Sequence, residues 1–512
     1  MSAILSNHTE LLTRERIQQV MQEEVRLNAA FIDGEWITLA GVTNNYETAT
    51  NNAHNLYDPS TGEVIAQTQL CTAAQVDQAA IAANKAFATW SQTTGAERAG
   101  YLNAIADSME AQFAKLVGLS VFNNGKPIAE AEIDVGDAIA CYRYYAELAA
   151  AQPTQTVVAT DEPGIRLYKY LEPVGVCALI VPWNFPMVTT AWKLAPALAA
   201  GCTALLKPSE VTLIPELLLG NILSDINLPK GVVNILPGAA EVGAAMTSHP
   251  LIDKVSFTGS NAVGEKVMAQ AATSAKDISL ELGGKSAIIV REDADIDAAC
   301  ELIVGGIFTN AGQICSATSR LLVHQAIAQP LYQALKAMTE QLVIGEGFAG
   351  ETQMGPLVSA AQLRQVQKYF AIAAEEQLNC LTGGISSELH AFKEGYFAVP
   401  TIYTDVPTDS RLWQEEIFGP VLVTATFADD TQAIQLANAS DYALAATVVS
   451  ADETQALAVA SSVRAGHIWI NEQQIVLPQA GWGGFKQSGI GRELGEDGLA
   501  AYQKSKHILL PN

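Results

Sequence analysis

Between residues 176 and 280, short apolar runs alternate with stretches of helical spacing, and this alternation constrains the fold more than any other feature. The strand-like runs are residues 176–181, 203–206, 232–236, 254–257 and 278–280. Helical spacing fills the intervals, at residues 188–200, 213–226, 240–248 and 263–272. This succession predicts a parallel sheet with helices on both faces. Ligands of such sheets bind beyond the carboxyl ends of the strands.

The 512 residues exceed what a single hydrophobic core organises, so two or more domains are expected. A second α/β pattern begins at residues 286–290 and runs to about residue 471, with further strand-like runs at 445–449 and 467–470. The sequence therefore predicts an α/β fold with two successive parallel-sheet domains.

The segments outside these two patterns have their own character. Residues 72–150 have helical apolar spacing and predict several helices packed on a sheet. Residues 1–25 predict a polar helical extension with little core material. Two strand-like runs, at 165–171 and 507–510, are expected to leave the main body of the fold.

The charge balance excludes one class of partner. There are 54 acidic and 29 basic residues, and the formal net charge is −25. Nucleic acids and anionic membrane surfaces are bound by clusters of Lys and Arg, and the sequence has no such cluster. The acidic surface indicates solubility and a mild attraction for cations.

Cysteine and histidine spacing argues against disulfide and metal chemistry. The seven cysteines are odd in number and form no C-x-x-C pair, which suits a reducing compartment. The seven histidines show no metal-ligand spacing, so no metal is expected. The N-terminal segment is charged where a signal peptide needs an apolar run, and no stretch of 18 residues is both apolar and uncharged. A cytoplasmic chain without a membrane span is expected.

Two glycine-containing segments are candidates for a phosphate site. The dinucleotide pattern G-x-G-x-x-G occurs at residues 345–350, but it follows a helical segment and opens no helix, so it predicts a loop. Thr258-Gly259-Ser260 instead joins a strand to a helix, whose free N–H groups and dipole attract a phosphate. Taken alone, such a turn more often serves only to cap the helix.

Three further segments carry candidate functional groups. Lys207-Pro208-Ser209-Glu210 follows a strand, where an acid accepts hydrogen bonds from ribose hydroxyls or merely stands in the first turn of a helix. Glu281 ends a strand before two glycines and is either a general base in a cleft or a charged residue before a turn. Cys315 has Gly, Asn and Ser neighbours and is either a nucleophile or an inert thiol.

Together these segments resemble the aldehyde dehydrogenase superfamily over nearly the whole chain, from about Phe31 onwards. The matching motifs are Pro182-Trp183-Asn184-Phe185-Pro186, Lys207-Pro208-Ser209-Glu210, Phe257-Thr258-Gly259-Ser260, Glu281-Leu282-Gly283-Gly284-Lys285, the segment 308–316 around Cys315, Glu415-Glu416-Ile417-Phe418-Gly419-Pro420, and Ser488-Gly489 with Gly491-Arg492-Glu493-Leu494. Seven motifs in order make a specific match, which favours the functional interpretation of the turn, the acid, the base and the thiol.

The resemblance implies oxidation of an aldehyde to a carboxylate, and it implies a role for each matching residue. Cys315 is the implied nucleophile, and the Asn184 amide holds the oxyanion together with the backbone N–H of Cys315. Glu281 activates the water that hydrolyses the thioester. Lys193 and Glu493 match a pair that relays the proton away.

The implied cofactor is NAD. The residues that match cofactor-binding positions are Trp183, Lys207, Glu210, Gly259, Ser260, Glu416 and Phe418. Lys207 and Glu210 bind the adenosine ribose in this interpretation, Ser260 the pyrophosphate, and Glu416 the nicotinamide ribose. Glu210 repels a 2′-phosphate, so a preference for NAD over NADP is implied.

The segments 315–320 and 479–484 resemble the betaine-aldehyde and aminoaldehyde dehydrogenase branch, whose members hold a cationic amine among aromatic rings. The implied substrate-binding residues are Asp134, Asp137, Phe185, Trp192, His467 and Trp482. The two aspartates match acids at the tunnel mouth. Phe185 stands where Tyr is usual, and Thr309 where some members have Trp. His467 replaces a small residue or Ile, which favours a small ω-aminoaldehyde over betaine aldehyde. A broad-specificity aliphatic enzyme is the other alternative.

The resemblance also implies domain boundaries and oligomerisation. Residues 1–25 form an N-terminal extension, 26–154 with 174–283 an NAD-binding domain, 284–484 a catalytic domain, and 155–173 with 485–512 a small β oligomerisation element. A homodimer or homotetramer follows. Two rivals remain: a phosphorylating or CoA-acylating relative, which generally lacks a base at the Glu281 position, and a catalytically silent structural homologue.

Overall fold

The computed structural model describes residues 13–39, 52–153, 155–384, 394–472 and 474–511. The helices are α1 (Arg14–Glu24), α2 (Ala73–Trp90), α3 (Gly95–Ala111), α4 (Phe113–Asn124), α5 (Ile128–Ala151), α6 (Pro186–Ala200), α7 (Ile214–Asp225), α8 (Ala240–Ser248), α9 (Asn261–Ala272), α10 (Ile296–Phe308), α11 (Ala328–Glu340), α12 (Ala360–Glu375), α13 (Arg411–Gln414), α14 (Asp430–Asn438), α15 (Glu453–Ser462) and α16 (Gly495–Ala500).

The strands are β1 (Ala29–Ile32), β2 (Glu35–Thr38), β3 (Ala53–Tyr57), β4 (Val64–Gln69), β5 (Gln155–Val158), β6 (Ile165–Pro173), β7 (Val176–Ile180), β8 (Thr203–Lys207), β9 (Val233–Ile235), β10 (Lys254–Thr258), β11 (Asp277–Glu281), β12 (Ala287–Val290), β13 (Arg320–His324), β14 (Asn379–Thr382), β15 (Thr401–Thr404), β16 (Val421–Phe427), β17 (Tyr442–Ala443), β18 (Ala445–Val449), β19 (His467–Ile470), β20 (Phe485–Lys486), β21 (Gly489–Ile490) and β22 (Gln503–Pro511).

The first sheet has the order β2-β1-β9-β8-β7-β10-β11-β21. Its five central strands, β7 to β11, run parallel and coincide with the five predicted ones, and antiparallel strands close both edges. The chain passes from β7 through β8 to β9 on one side, then crosses to β10 and β11 on the other. The crevice between β7 and β10 is therefore the switch point at which such sheets bind ligands.

The second sheet has the order β14-β15-β16-β13-β12-β18-β19 and is parallel except for β14. It has its own apolar core, whereas the first sheet is covered on both faces by two other clusters. Strands β22, β6 and β5 form a separate antiparallel sheet, in which the two predicted outlying runs pair with each other. The predicted fold, two parallel-sheet α/β units and a small β element, is confirmed.

Helix α1 corrects one expectation. It is helical as predicted, but Ile17, Val20 and Met21 are buried in the core of the first unit. A Cβ on Gly118 of α4 would stand 2.1 Å from the Cδ1 of Ile17. Because Gly118 has no side chain, α1 can pack against α4 in the core. The prediction of little core material in this segment is wrong.

The structure also bears on three features considered in the sequence: the G-x-G-x-x-G pattern, membrane spans and metal sites. Residues 345–350 form a loop, since α11 precedes them and the next described helix is α12, so the prediction that this G-x-G-x-x-G is no dinucleotide turn is confirmed. Within the described ranges, no helix is long and apolar enough to cross a membrane. In the same ranges, no group of three His, Cys, Asp or Glu side chains is placed to hold a metal ion.

Candidate active site

The carboxyl ends of the central strands gather the predicted functional residues at one edge of the first sheet. Lys207 at the end of β8 is in register with Ile180 at the end of β7. Glu281 at the end of β11 is in register with Thr258 at the end of β10. Asn184 follows β7 by a few residues, immediately before α6. Parallel register thus brings together residues that lie up to a hundred positions apart in the chain.

Asn184 lies against the segment that leads to Cys315. It is buried, and its Nδ2 donates a hydrogen bond of 2.9 Å to the backbone oxygen of Gln313. The Asn310 amide donates to the same Gln313 oxygen and, at 3.2 Å, to the backbone oxygen of Asn184. A primary amide has two N–H donors, so the second N–H of Asn184 is available to another acceptor.

The backbone before Cys315 has an unusual conformation. Asn310, Ala311 and Gly312 have φ angles of 49°, 53° and 74°, all in the left-handed region. This region costs roughly 1–2 kcal/mol for each residue with a side chain. Gly312 is required here, because a Cβ would stand 2.1 Å from the oxygen of Gly419. Strain of this kind marks segments whose position matters for function.

The Cys315 thiol is held in its protonated form. The residue is half-buried. Burial, together with the charges of Glu281 and Glu416, raises the pKa of the thiol to about 12, although the backbone N–H of Ser316 acts in the opposite direction. At neutral pH, attack by this sulfur requires that a base take its proton.

Glu281 has the properties of such a base. It is 4% exposed, and within the described part of the chain neither carboxyl oxygen has a hydrogen-bond partner. Burial raises its pKa well above the usual value, and the charge of Glu493 acts in the same direction, whereas Lys193 and Arg492 oppose the shift. A buried carboxyl with free oxygens and a raised pKa is suited to proton transfer near neutral pH.

Lys193 and Glu493 form a fully buried ion pair. Ser256 Oγ accepts a 3.1 Å hydrogen bond from Lys193 Nζ and donates one of 3.1 Å to Glu493 Oε1. The charges of both residues act on Glu281, although within the described residues no hydrogen bond joins either of them to its carboxyl oxygens.

At the start of α9, Gly259 and Ser260 form the predicted turn. Ser260 is exposed and, as far as the described residues show, its hydroxyl makes no capping hydrogen bond. The interpretation of Ser260 as a helix cap is therefore not supported. The helix begins with an exposed hydroxyl and free N–H groups, an arrangement that suits an anionic group.

Lys207 and Glu210 stand together after β8. The Lys207 ammonium is buried and donates to the Pro208 oxygen at 3.1 Å and to Glu210 Oε2 at 3.3 Å. Burial lowers the pKa of Lys207. The Glu210 side chain is 31% exposed, so its carboxylate is accessible to a ligand at this edge.

Glu416 reaches the Gly283-Gly284 turn from the second unit. Its Oε1 accepts a 2.8 Å hydrogen bond from the N–H of Gly284, and its Oε2 lies 2.4 Å from where a Cβ on Gly283 would stand. Burial raises the pKa of Glu416 to about 7. Nearby, the rings of Trp183 and Phe418 meet edge to face, with 5.3 Å between their centroids.

Three of the predicted rings, Trp192, His467 and Trp482, form one cluster. The Trp482 ring lies 5.6 Å from Trp192 and 5.2 Å from His467, measured between centroids. Trp469, which sequence analysis missed, stacks 4.8 Å from His467. Trp482 is buried, whereas Trp192 and His467 are half-buried. Burial lowers the pKa of His467, so this ring is neutral at neutral pH.

Asp134 is not at a tunnel mouth, and that prediction is wrong. Its side chain is fully buried, with Oδ1 accepting from the N–H of Val188 at 2.9 Å and Oδ2 lying 3.4 Å from Lys126 Nζ. Asp137, one turn further along α5, is half-buried. Burial, together with the charge of Asp134, raises its pKa to about 6.

Phe185 has a neighbour that sequence analysis also missed. The Lys126 ammonium lies 4.0 Å from the centroid of the Phe185 ring. One ring face therefore already contacts a cation. Lys126 belongs to the segment 123–127, from the end of α4 to the start of α5, which is buried throughout.

The chain matches a known family over most of its length. The sequence profile described as "Aldehyde dehydrogenase family" matches residues 46–508. The chain belongs to the aldehyde dehydrogenase family. It is 43% identical over 486 residues to "Aminoaldehyde dehydrogenase 1, peroxisomal" of Pisum sativum, covering 93% of this chain and 94% of that protein. It is 40% identical to "Betaine aldehyde dehydrogenase, chloroplastic" of Beta vulgaris, covering 93% and 95%.

Solved structures of aldehyde dehydrogenases have the same fold. The crystal structure of betaine aldehyde dehydrogenase from Staphylococcus aureus in complex with NAD⁺ superposes with a TM-score of 0.92, covering 97% of both chains at 37% identity. The predicted family, the enzyme class and NAD as its cofactor are thereby confirmed at the level of the aldehyde dehydrogenase family.

The predicted location needs correction. Relatives that are 40–43% identical carry peroxisomal or chloroplastic in their names. These names contradict the cytoplasmic prediction. The cytoplasmic prediction rested on the lack of a recognisable apolar signal, which does not distinguish the cytoplasm from compartments that folded proteins enter by other routes.

Proposed function

We propose that this aldehyde dehydrogenase oxidises a small ω-aminoaldehyde to the amino acid, through a thiohemiacetal and a thioester on Cys315. The observation that carries the covalent mechanism is the meeting of Cys315, Asn184 and Glu281 at the sheet edge, with both Glu281 oxygens buried and free. A silent structural homologue has no use for a buried unpaired carboxylate, and a CoA-acylating relative has no use for a hydrolytic base.

In the first step, the proton of Cys315 passes to Glu281 and from there to solvent, and the sulfur bonds to the aldehyde carbon. The carbonyl oxygen becomes an oxyanion, which the free N–H of the Asn184 amide and the backbone N–H of Cys315 stabilise. A single donor of this kind contributes roughly 10²–10³ in rate. Because Asn184 already donates one N–H to Gln313, its second N–H has a fixed direction.

In the last step, Glu281 takes a proton from water, and the resulting hydroxide attacks the thioester carbon. The carbon–sulfur bond breaks, the carboxylate leaves, and the Cys315 sulfur regains a proton. The adjacent Lys193–Glu493 pair offers Glu281 a route for passing on its proton, since Ser256 links the two charged groups.

The residues at the sheet edge fit NAD. Bound NAD supplies the acceptor for the hydride of the aldehyde. Ser260 presents a free hydroxyl at the start of α9, where the pyrophosphate is held in our proposal. Glu210 accepts from the adenosine ribose beside Lys207, and Glu416, fixed by Gly284, accepts from the nicotinamide ribose. Trp183 and Phe418 line the same region.

The Glu210 carboxylate should set cofactor choice. We expect kcat/KM to favour NAD over NADP by at least about tenfold, which corresponds to 1.4 kcal/mol, because the carboxylate repels a 2′-phosphate. In Glu210→Ala, steady-state assays with both cofactors should show a smaller ratio. Glu301→Ala, which removes an exposed acid from α10, should leave the ratio unchanged. Equal use of both cofactors by the wild type contradicts this role for Glu210.

The choice of an aminoaldehyde rests on the aromatic cluster and one acid. Trp192, Phe185 and Cys315 are partly buried side chains packed against the same apolar cluster. A substrate ammonium gains roughly 0.5–2 kcal/mol from an aromatic face, and the neutral His467 ring does not repel it. Asp137 adds a negative charge at neutral pH. The names of the relatives, aminoaldehyde and betaine aldehyde dehydrogenases, support this substrate class.

Betaine aldehyde is the second candidate, and one contact disfavours it. His467 stacks on both Trp469 and Trp482, so it cannot turn away without breaking two ring contacts. A trimethylammonium group is larger than a primary ammonium and meets this fixed ring. A broad-specificity aliphatic enzyme, in which the rings only pack against alkyl chains, is the third candidate.

A comparison of 4-aminobutanal with butanal tests the substrate proposal. At pH 7.5 and low salt, kcat/KM should be at least about tenfold higher for 4-aminobutanal. The preference should shrink as salt is added, and as the pH falls through about 6, where Asp137 becomes protonated. Asp137→Asn should remove this pH dependence, whereas Asp107→Asn, which changes an exposed side chain on α3, should retain it. A higher value for butanal at low salt rules out the cationic substrate.

The sheet of β5, β6 and β22 supports a homodimer or homotetramer. Val157 on β5 is 74% exposed and Leu509 on β22 is 64% exposed, which is unusual for side chains of this kind in a monomer. We propose that residues 155–173 and 485–512 are the oligomerisation element, beside an NAD-binding domain at 26–154 and 174–283 and a catalytic domain at 284–484.

A further inference from the structure

A buried ammonium lies directly behind Asn184. Lys126 follows Gly125, which ends α4 with a φ of 89°, and its side chain is completely inaccessible to solvent. Its Nζ donates a 2.8 Å hydrogen bond to the backbone oxygen of Asn184. Burying a charge is unfavourable unless it is paired and hydrogen-bonded, so the presence of Lys126 here needs an explanation beyond packing.

The partners of Lys126 hold both ends of one short segment. Lys126 itself bonds to Asn184, immediately before α6. Its counter-ion Asp134, 3.4 Å away, accepts from the N–H of Val188 in the first turn of α6. The ion pair thus fixes residues 184–188, the segment that carries the Asn184 amide and leads to Lys193.

The same cluster fixes the approach to Cys315. Asn310 Nδ2 also donates to the Asn184 oxygen, and the Asn310 N–H donates to Glu130 Oε1 at 2.9 Å. Gln313 Nε2 donates to the Asn310 oxygen at 2.8 Å. The backbone oxygen of Asn184 therefore accepts two hydrogen bonds, one from the charged Lys126 and one from Asn310 in the segment before Cys315. It joins the segment before α6 to the segment before Cys315.

We propose that Lys126 is a positioning residue for oxyanion stabilisation, acting through the backbone oxygen of Asn184. The inference rests on the proposed function, in which Asn184 donates to the oxyanion. A hydrogen bond from a charged donor is about twice as strong as a neutral one, so Lys126 restrains the peptide that carries the amide. A displacement of about 1 Å at such a group reduces a reaction rate by roughly 10²-fold.

The test is a double-mutant cycle with Lys126→Met and Asn184→Ala. Lys126→Met alone should lower kcat by about 10- to 100-fold, because the amide is misplaced. The KM for NAD and the rate of Cys315 alkylation by iodoacetamide should stay within about twofold, because neither depends on the oxyanion donor. In the Asn184→Ala background, Lys126→Met should have no further effect on kcat, since the group it positions is gone.

Lys126→Met leaves the Asp134 carboxylate buried without its counter-ion, and this could prevent folding. A second variant is therefore needed. The combined change Lys126→Met with Asp134→Asn removes both charges and keeps an oxygen to accept from Val188. It should show the same loss of kcat. Lys115→Met, which breaks an ion pair with Glu24 near α1, is the matched control and should retain wild-type kcat.

The outcomes separate the two proposals. Wild-type kcat in either folded Lys126 variant, while Asn184→Ala is impaired, overturns the role of Lys126 alone. An equal loss of kcat from Lys126→Met in the presence and absence of the Asn184 amide overturns it as well. If neither variant folds, Lys126 is structural and the inference is wrong. Full activity of Asn184→Ala overturns the proposed oxyanion donor itself, and the inference with it.

Discussion

Replacing Cys315 by Ala should abolish aldehyde oxidation and leave NAD binding intact. The sulfur is the only protein atom in the proposed mechanism that bonds to the substrate, and loss of a covalent nucleophile reduces turnover by on the order of 10³-fold or more. The change removes one half-buried atom at the end of a strained segment. NAD contacts in the proposal come from other strand ends, so the binding of NAD should not change.

The measurement combines NADH absorbance with a titration of NAD that follows protein fluorescence. Cys380→Ala, which removes an exposed thiol on β14, should behave as wild type in both assays. Turnover above a few per cent in pure Cys315→Ala would falsify the assignment of the nucleophile. Loss of NAD binding in the same variant would mean that Cys315 organises the cofactor site.

Replacing Glu281 by Gln should produce a burst of NADH followed by a stall. Gln cannot accept a proton, so the thioester forms but is not hydrolysed, and steady-state turnover should fall by roughly 10²–10⁴-fold. The burst should be slower than in the wild type, since the thiol is protonated at neutral pH and Glu281 is the base to which we assign its proton. Rapid-mixing absorbance gives the burst, and mass spectrometry of the quenched enzyme gives the acyl adduct.

The pH dependence of the wild type follows from the raised pKa of Glu281. A base works only when ionised, so hydrolysis of the thioester should be full above that raised pKa and decline as the pH falls through it, well above the usual range of a glutamate. Glu281→Gln should lack this limb. Glu216→Gln is the matched control, because Glu216 is also fully buried with a raised pKa but lies on α7. Steady turnover in Glu281→Gln at the wild-type rate excludes the role.

The secondary structure of the first unit was predictable because its pattern is local. Each central strand is a short apolar run buried on both faces, and each connecting helix has an apolar stripe of helical period. Helix α8 was predicted without error, and β10 and β11 were each short by one or two residues. The missed strand β5 is the opposite case, because three of its four residues are exposed and the fourth is half-buried, so no alternation of burial marks it.

The candidate residues were predictable for a related reason. Parallel strands place their carboxyl ends at one edge, so Lys207, Ser260 and Glu281 are expected to meet once the strands are known. The local sequence of each residue also allowed a purely structural role, such as a helix cap or a charged residue before a turn. The resemblance of seven ordered motifs favoured the functional role in each case. Among the described residues, the Ser260 hydroxyl makes no capping hydrogen bond to α9.

The order of the central strands and helices, the family and the set of groups at the sheet edge were predictable from the sequence, since all three follow from local patterns and their order. Which charges meet, and which of them are buried, became visible in the folded chain alone. Asp134 looks like an acid free to attract a substrate, yet it is enclosed with Lys126 behind Asn184. Burial and ion pairing depend on contacts between segments that are distant in the chain. Such contacts cannot be predicted from the spacing of residues along one segment.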